Sequence, residues 1–482
     1  MPLPRALAMP VAALTLTALS LSACALGPNY ARPTITPPPA FRGVLTPGEA
    51  TDLADLAWIR QYQEPELAAL IETAIAENLD LRQAVARIAE ARARADAARA
   101  DLGPTLSGGF SGQPRTRLDD DETWLRTLYS LGVAFQWEID FFGRLRRASE
   151  AARNDLLATE DGARAVMSSL VGDVVQAWFD LRVLDELIAI TERNIQLQQD
   201  ALLLVQRRVQ GGVAAGLDEQ QATSQLARTR AQLPTLQQEA QLVENRLSVL
   251  LGRPPGPIVR TPGPITAVPP EIPTGLPSEL LERRADIRQA ERQLMAATSR
   301  IGVAMGNAFP FPRIGLTAFF GLMSGSLDTL FRGDDNGVVS WSPSVSMPLI
   351  DSGRGKAGVA VAVAQTEQAA IFYRSSILVA LREVADTLVS LAKVRERIAQ
   401  QQVEVTAARE ALRLSDIRYV GGVADYLEVL DTQRVLYVSE TDLARSRQSE
   451  LQASVQLYRA LGGGWSDQEL LKVIDRPFDA RK

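Results

Sequence analysis

The segment Arg208-Val-Gln-Gly-Gly-Val-Ala214 returns 210 residues later as Arg418-Tyr-Val-Gly-Gly-Val-Ala424. From Gly143 to Gly252 the spacing between matching positions stays at 210 without a gap. A further match joins Asp80–Ala84 to Asp286–Ala290. Chance similarity between helical segments would not keep one register for so long, so the chain is predicted to be an internal duplication.

The duplication changes the expected number of domains. At roughly 150 residues per domain, a chain of 482 residues would contain three. The repeat instead predicts two similar halves, residues 66–252 and 279–465, joined by a linker at 253–278 and followed by a tail at 466–482. Nine prolines lie between residues 254 and 277, which predicts an extended linker rather than a helix.

The composition excludes several kinds of chemistry. The chain has no histidine and one cysteine, Cys24, which excludes histidine-based catalytic triads, intrachain disulfides and His or Cys metal clusters. The formal net charge of −6 leaves no basic excess with which to bind nucleic acid. No paired carboxylates, phosphate-binding glycine loop or nucleophile elbow stands out. We therefore predict no catalytic residue, no metal site and no enzymatic activity.

Two stretches in each half alternate with the two-residue period of β-strands. Large apolar residues alternate with small or polar ones over residues 127–139, 314–322 and 339–349, and residues 105–113 form a weaker, glycine-rich partner. One interpretation is an ordinary sheet packed on a core. The other is a membrane sheet with its apolar face toward lipid and its small polar face toward a lumen. Four strands cannot close a barrel and an open edge is unstable in lipid, so the second interpretation requires several chains, and three would supply twelve strands.

Helices are predicted on either side of the strands. Residues 66–102 and 279–309 are rich in helix-forming Ala, Arg, Glu and Gln. After the strands, each half has a long helix that ends at Gly-Gly-Val-Ala, because glycine just past a helix end is a common C-cap. Shorter returning helices follow over residues 217–251 and 425–461.

The two long helices are predicted over residues 144–210 and 354–420, which contain no proline. At roughly 1.5 Å per residue such a helix is about 100 Å long, far longer than a globular domain and comparable with the width of a periplasm. Both carry apolar residues at alternating spacings of three and four, which predicts a coiled-coil packing seam. The seam comprises Met167, Leu170, Val174, Ala177, Leu181, Leu184 and Ile188, matched by Ile377, Ala380, Val384, Thr387, Leu391, Val394 and Ile398.

The N-terminus has the pattern of an export signal. Arg5 is followed by an apolar stretch, Ala6–Leu21, and then by Ser22-Ala23-Cys24. The stretch is shorter than the ~20 residues of a spanning helix, and Pro10 interrupts it. Leu21-Ser-Ala-Cys24 resembles a bacterial lipobox, which implies cleavage after residue 23 and diacylglyceryl and N-acyl lipids on Cys24, with residues 24–65 as the lipidated segment. No cofactor other than these lipids is expected. The alternative interpretation of Cys24 is an incidental thiol in a leader sequence.

Nearly the whole mature chain resembles the TolC-like outer membrane factors, in particular the lipoprotein branch that includes OprM and NodT. The resembling segments are Cys24–Tyr30, Phe135–Arg144, Leu276–Leu294, Arg418-Tyr419, Leu427–Asp431 and Leu457–Trp465. The resemblance implies a mixed α and β membrane protein of a Gram-negative bacterium. Its homotrimer would form a twelve-stranded outer-membrane barrel continued by an α-helical periplasmic tunnel. Such a passive duct would work with a periplasmic adaptor and an inner-membrane pump of the resistance-nodulation-division type to export drugs and other toxic small molecules.

A gate is expected at the periplasmic end of the duct. Glu428 and Asp431 are three residues apart and so share a helix face, which in a trimer would produce two stacked acidic rings able to select by charge. The resemblance implies that these two residues line a closed constriction and that Tyr419 helps to lock it by hydrogen bonding. Asp416 and Arg418 lie beside them in the sequence, and the partner of Arg418 is left open. The alternative is that these charges only solvate a helix end.

The glycine pairs Gly211-Gly212 and Gly421-Gly422 are expected to form the tips that contact the adaptor. Two tips per chain make six per trimer, which suits a six-fold adaptor, and the same glycines also serve as helix caps. Two other functions remain open. One is a duct of the same fold for type I protein secretion, which would be encoded beside an ATP-driven exporter. The other is a lipid-anchored coiled-coil scaffold without a pore, which would show neither a heat-modifiable trimer nor conductance.

Overall fold

The computed structural model describes residues 25–34, 38, 62, 64–118, 123–261, 263, 280–308, 310–332 and 335–475. For residues 115–118, 123–126, 280 and 281 it describes the backbone alone. The predicted export signal, the predicted lipidation site Cys24 and most of the predicted linker lie outside the described residues, as does the end of the chain after residue 475.

The described residues form nine helices and four strands, and the second half repeats the order of the first. The first half contains α1 (Pro65–Glu77), α2 (Leu79–Ala100), β1 (Thr105–Leu118), β2 (Thr123–Ile139), α3 (Arg144–Gln210) and α4 (Gly216–Leu250). The second contains α5 (Leu280–Arg283), α6 (Ala285–Gly306), β3 (Arg313–Ser324), β4 (Gly337–Ser346), α7 (Arg354–Val420), α8 (Tyr426–Ala460) and α9 (Asp467–Ile474).

The long helices α3 and α7 have the predicted bounds, and each contains 67 residues. Along α3 the seam is buried from Met167 to Leu184, and along α7 its buried members include Ile377, Ala380 and Val384. The returning helices α4 and α8 have 35 residues each and match their predicted bounds to within one residue. Burial of the seam is what the spacing of three and four residues predicts, although α3 is also buried outside the seam, for example at Val171, Phe179 and Val183.

The helical stretches at the start of each half are broken, where the sequence predicted one continuous helix in each. Asn78 separates α1 from α2, because its backbone is extended and its side-chain oxygen caps the amide of Leu81 at 2.9 Å. The side-chain nitrogen of Asn78 also donates to the carbonyl of Leu250 at 2.9 Å. In the second half the break falls at Arg284, and the Asp286 carboxylate accepts the Ile287 amide at 2.9 Å in the first turn of α6.

The strand bounds also differ from the predictions. β1 extends beyond its predicted end at residue 113 to Leu118, and β2 begins at Thr123, before its predicted start at residue 127. β4 is shorter than predicted, since it ends at Ser346 and leaves Met347 and Leu349 outside the sheet.

The four strands form one antiparallel sheet in the order β1-β2-β3-β4. The two halves meet where β2 pairs with β3, with Gly132 opposite Gly321 and Leu131 opposite Leu322. Successive residues of a strand point to opposite faces, so this register puts most of the large apolar residues of the four strands on one face. Within the described residues, the outer edges of β1 and β4 pair with no other strand.

The chain divides into two compact units. One takes its described residues from 1–35, 87–160 and 289–374, and it contains the sheet. The other takes them from 36–86, 161–288 and 375–482, and it contains both glycine turns. None of the helices in the described part of the chain has an apolar window long enough to cross a membrane. Among those same residues, no group of three or more Cys, Asp or Glu side chains is placed to hold a metal ion.

Candidate functional site

The two long helices end in the same glycine turn. In the second half the Val423 amide donates to the Arg418 carbonyl at 2.9 Å and the Gly422 amide to the Tyr419 carbonyl at 3.0 Å. The first half has the equivalent bonds at Val213 and Gly212, and φ is +72° at Gly212 and +73° at Gly422. This is the Schellman arrangement, in which the left-handed backbone favours glycine. The first glycine of each pair, Gly211 or Gly421, donates to the helix carbonyl four residues earlier.

A pair of buried tyrosines lies beside the second turn. The rings of Tyr419 and Tyr426 have centroids 5.5 Å apart and are tilted by 60°. Burial raises the pKa of Tyr426 to about 12 and also raises the pKa of Tyr419. The Tyr419 hydroxyl is buried and has no hydrogen-bond partner within the described residues. The hydrogen bond that the family resemblance implies for Tyr419 therefore stays a prediction that would need a second chain.

Arg208 connects the end of the first long helix to the second turn. Its guanidinium carbon lies 4.5 Å from the centroid of the Tyr419 ring, and its Nη1 donates to the Tyr419 carbonyl at 2.6 Å. That carbonyl also accepts a hydrogen bond from the Gly422 amide, so one oxygen is bonded both to the second glycine turn and to Arg208 near the end of α3. Sequence reasoning missed this role, although Arg208 is the repeat equivalent of Arg418.

The charged candidates pair within the chain. Arg418 Nε donates to the Glu428 carboxylate at 2.9 Å, which supplies the partner that the sequence left open. Asp431 pairs with Arg434 at 2.6 Å, and all four of these side chains are more than two-fifths exposed. Partial desolvation raises the pKa of Asp416. Arg434 was not singled out from the sequence, although its spacing of three from Asp431 is a recognised pairing distance on a helix.

The N-terminal strap, defined as residues 25–34, docks on the unit that contains the sheet. The Leu26 amide donates to the Phe142 carbonyl at 3.0 Å, immediately after β2. Further along, Arg32 donates two hydrogen bonds of 2.7 Å to Glu291 on α6, and the Tyr30 hydroxyl donates a third at 2.9 Å. Burial alone would raise the pKa of Glu291, but the hydrogen bonds from Arg32 and Tyr30 lower it overall.

The four strands form an open sheet with one mostly apolar face, and the strand pair of each half is followed by a 67-residue helix and a sharp glycine turn. This is the arrangement that the family resemblance implies for an outer membrane channel. The sequence comparison agrees with this geometry. Residues 70–253 and 276–463 match the outer membrane efflux protein family, and the chain belongs to that family.

Individual relatives match over nearly their full length. The solvent efflux pump outer membrane protein SrpC of Pseudomonas putida is 34% identical over 461 residues, which cover 93% of this chain and 97% of SrpC. The cation efflux system protein CusC of Escherichia coli O6:H1 is 33% identical over 93% of this chain and 97% of its own. The solved structure of the outer-membrane channel OprN superimposes with a TM-score of 0.86 at 31% identity, covering 92% of this chain and all of OprN.

Proposed function

We propose that three copies of this chain form a twelve-stranded barrel in the outer membrane, the channel of a tripartite efflux system. The observation that carries the proposal is the open four-stranded sheet, whose β1 and β4 edges pair with no other described strand. Unpaired edges are too costly in lipid. Because the strands alternate in direction and their number is even, β4 of one chain would run antiparallel to β1 of the next. Three sheets therefore join without breaking the pattern.

The exposed apolar face supports a lipid environment for the sheet. Phe320 is 69% exposed and Trp341 is 73% exposed, although both are large and apolar. Leu106, Phe110 and Val345 on the same face are also exposed. A contiguous patch of this kind is rarely left in water, and it matches the outward-facing band of membrane barrels. The opposite face carries mostly Ser, Thr and Gly, as the wall of a water-filled lumen requires.

We further propose that the mature chain begins at Cys24, which carries the diacylglyceryl and N-acyl lipids of the lipoprotein branch. The support is the lipobox sequence and the docking of the N-terminal strap. Leu26 lies two residues from Cys24 and hydrogen-bonds to Phe142 at the end of β2. Lipids on Cys24 would thus lie beside the membrane-embedded sheet, and more than one acyl chain gives stable anchoring.

The proposed partners are a periplasmic adaptor and an inner-membrane pump of the resistance-nodulation-division type. The named relatives serve solvent and cation efflux, so one duct architecture accompanies different cargoes. We therefore assign substrate choice mainly to the pump, and propose that this chain passively conducts small toxic compounds. The glycine tips at Gly211-Gly212 and Gly421-Gly422 are the proposed adaptor contacts, because open space surrounds the position of a Cβ at Gly212 and at Gly422.

The proposed gate comprises Glu428, Asp431, Tyr419, Arg418 and Asp416. Its support is their common position at the second glycine turn and the acidic pair on one face of α8. Glu428 pairs with Arg418, and Asp431 pairs with Arg434. The negative charge of the acidic rings would therefore be partly neutralised within each chain. Opening would then require these pairs to separate or move together with their helices.

Deletion of the gene followed by complementation tests the proposed function. We expect the deletion to sensitise cells to some members of a panel of antibiotics, dyes, solvents and metal ions, and the wild-type gene to restore resistance. Complementation by a Cys24→Ala variant should be impaired, with less protein in the outer-membrane fraction. An unchanged panel, together with loss of a secreted protein, would favour a type I secretion duct instead.

A further inference from the structure

Among the described side chains, one aromatic ring lies on the face of the sheet that is mostly small and polar. The pairing register places on this face Ser107, Gly109 and Ser111 of β1, Ser130, Gly132, Ala134 and Gln136 of β2, Gly315, Thr317 and Gly321 of β3, and Ser340, Ser342 and Ser344 of β4. Its apolar members besides Ala134 are the aliphatic residues Leu128, Met323 and Val338, of which Val338 is opposite Gly321. Phe319 belongs to the same face, since it pairs with Ala134 on one side and Ser340 on the other. Its neighbour Phe320 belongs to the apolar face.

The Phe319 ring lies over a pair of glycines. A Cβ added at Gly132 would be 2.7 Å from Phe319 Cζ, and one added at Gly321 would be 2.8 Å from the same atom. The ring tip therefore occupies the space that two side chains would otherwise fill. Because Gly132 and Gly321 are directly opposite each other, they form a shallow recess that lets the ring lie along the wall rather than project from it.

A ring that lies along the wall still presents its other face to the lumen. Phe319 is half-buried, with the glycine pair beneath it and only small or polar residues as strand partners. The negative face of an aromatic ring attracts organic cations, including quaternary ammonium groups, and offers apolar contact area. Small neighbours such as Ala134 and Ser340 leave room for a molecule to approach the ring.

We propose that Phe319 is a cargo-contacting residue of the channel wall, which weakly binds aromatic and organic-cation molecules on their way out. This inference rests on the proposed trimeric barrel, in which three copies of Phe319 would lie at one level of the lumen. Weak binding suits a conduit, because cargo must leave as readily as it enters. The ring also covers two glycines and so stabilises the sheet, which means that the test must separate binding from folding.

The test uses current block in purified, lipidated wild-type protein reconstituted in planar bilayers. Benzyltrimethylammonium is the probe, and the readout is the concentration that halves the single-channel current. Phe319→Leu keeps most of the apolar volume over Gly132 and Gly321 but removes the aromatic face. We expect it to leave oligomer size and unblocked conductance near those of the wild type and to raise the half-blocking concentration about two- to five-fold.

Phe320→Leu is the matched control, because it makes the same chemical change one residue away on the opposite face. We expect it to leave the half-blocking concentration unchanged. An unchanged value in the folded Phe319→Leu channel would overturn the inference while leaving the channel function intact. A shift in Phe320→Leu alone would also overturn it, because the lumen would then lie on the other face. Absence of conductance from the wild-type protein would instead contradict the proposed function itself.

Discussion

Replacing Arg208 with alanine is expected to loosen the second glycine turn far more than the same change at Arg418. Both arginines lie three residues before the glycine pair of their own half, and both are near a helix C-terminus. Their interaction with the helix dipole is therefore equal and cancels in the comparison. They differ in their contacts, because Arg208 binds the backbone and ring of Tyr419, whereas Arg418 forms an exposed ion pair with Glu428.

The magnitude follows from those contacts. The half-buried Arg208 loses a charged hydrogen bond of 2.6 Å, and its cation–π contact at 4.5 Å is lost as well. Together these are worth about 2 kcal/mol of local stability, or a ~30-fold increase in the open population of the turn. The exposed Arg418 pair is worth about 0.2–1 kcal/mol, which limits its effect to roughly five-fold.

Hydrogen exchange of the amides at Gly422 and Val423 measures this opening, since both are bonded to the end of α7. We expect Arg208→Ala to speed exchange there by about ten- to thirty-fold, and Arg418→Ala by no more than about five-fold. The equivalent amides of the first turn should change little in the Arg418 variant. Equal acceleration in the two variants would show that the contact between Arg208 and Tyr419 does not hold the turn, and would refute the reasoning.

Four further outcomes are expected at other positions. A double variant with Glu428→Ala and Asp431→Ala should have a higher single-channel conductance, and recordings identical to the wild type would show that the acidic rings do not form the gate. Gly422→Trp should abolish efflux while leaving the trimer intact on native gels, because open space surrounds the Cβ position and the left-handed φ of +73° costs a side chain only about 1–2 kcal/mol; loss of the trimer would make the effect structural. Because the pKa of Glu291 is lowered, the N-terminal strap should stay docked above about pH 4 and become protease-sensitive as the pH falls through that lowered pKa. Glu291→Gln should expose the strap at neutral pH, with cleavage about ten-fold faster, and a strap equally resistant in both proteins would contradict this role. The raised pKa of Tyr426 means that stability is full below about pH 10 and falls as the pH approaches 12, so a Tyr426→Phe variant should lose that alkaline step in thermal melts.

The regular elements could be predicted from the sequence because their signals extend over many residues. Residues 144–210 and 354–420 combine an uninterrupted apolar seam with the absence of proline and a glycine pair at the end. A pattern of that length outweighs any single residue. The break at Asn78 was missed because it depends on one side chain that caps the next helix and binds a carbonyl 172 residues away. Such a contact leaves no periodic trace in the sequence.

The candidate site was predictable in its acidic residues but not in its partners. The spacing of Glu428, Asp431 and Arg434 along one helix is a local property, whereas the pairing of Glu428 with Arg418 crosses the glycine turn and depends on how two helices pack. The contact between Arg208 and Tyr419 joins the two halves of a duplicated chain. The repeat shows that the two helix ends are equivalent, but it contains no information on how one end packs against the other. Phe319 was overlooked for a different reason: it directly precedes Phe320 and interrupts the alternation, and its place over the two glycines depends on the pairing of β2 with β3.

Determining mass and conductance on one sample tests the central claim most directly. The lipidated protein would be purified from outer membranes, weighed by native mass spectrometry and then added to planar bilayers. A trimeric channel predicts three times the mass of the lipidated chain beginning at Cys24, and discrete conductance steps from that same fraction. The mass of a single chain, together with no conductance, would contradict the account, because a single four-stranded sheet cannot close a pore.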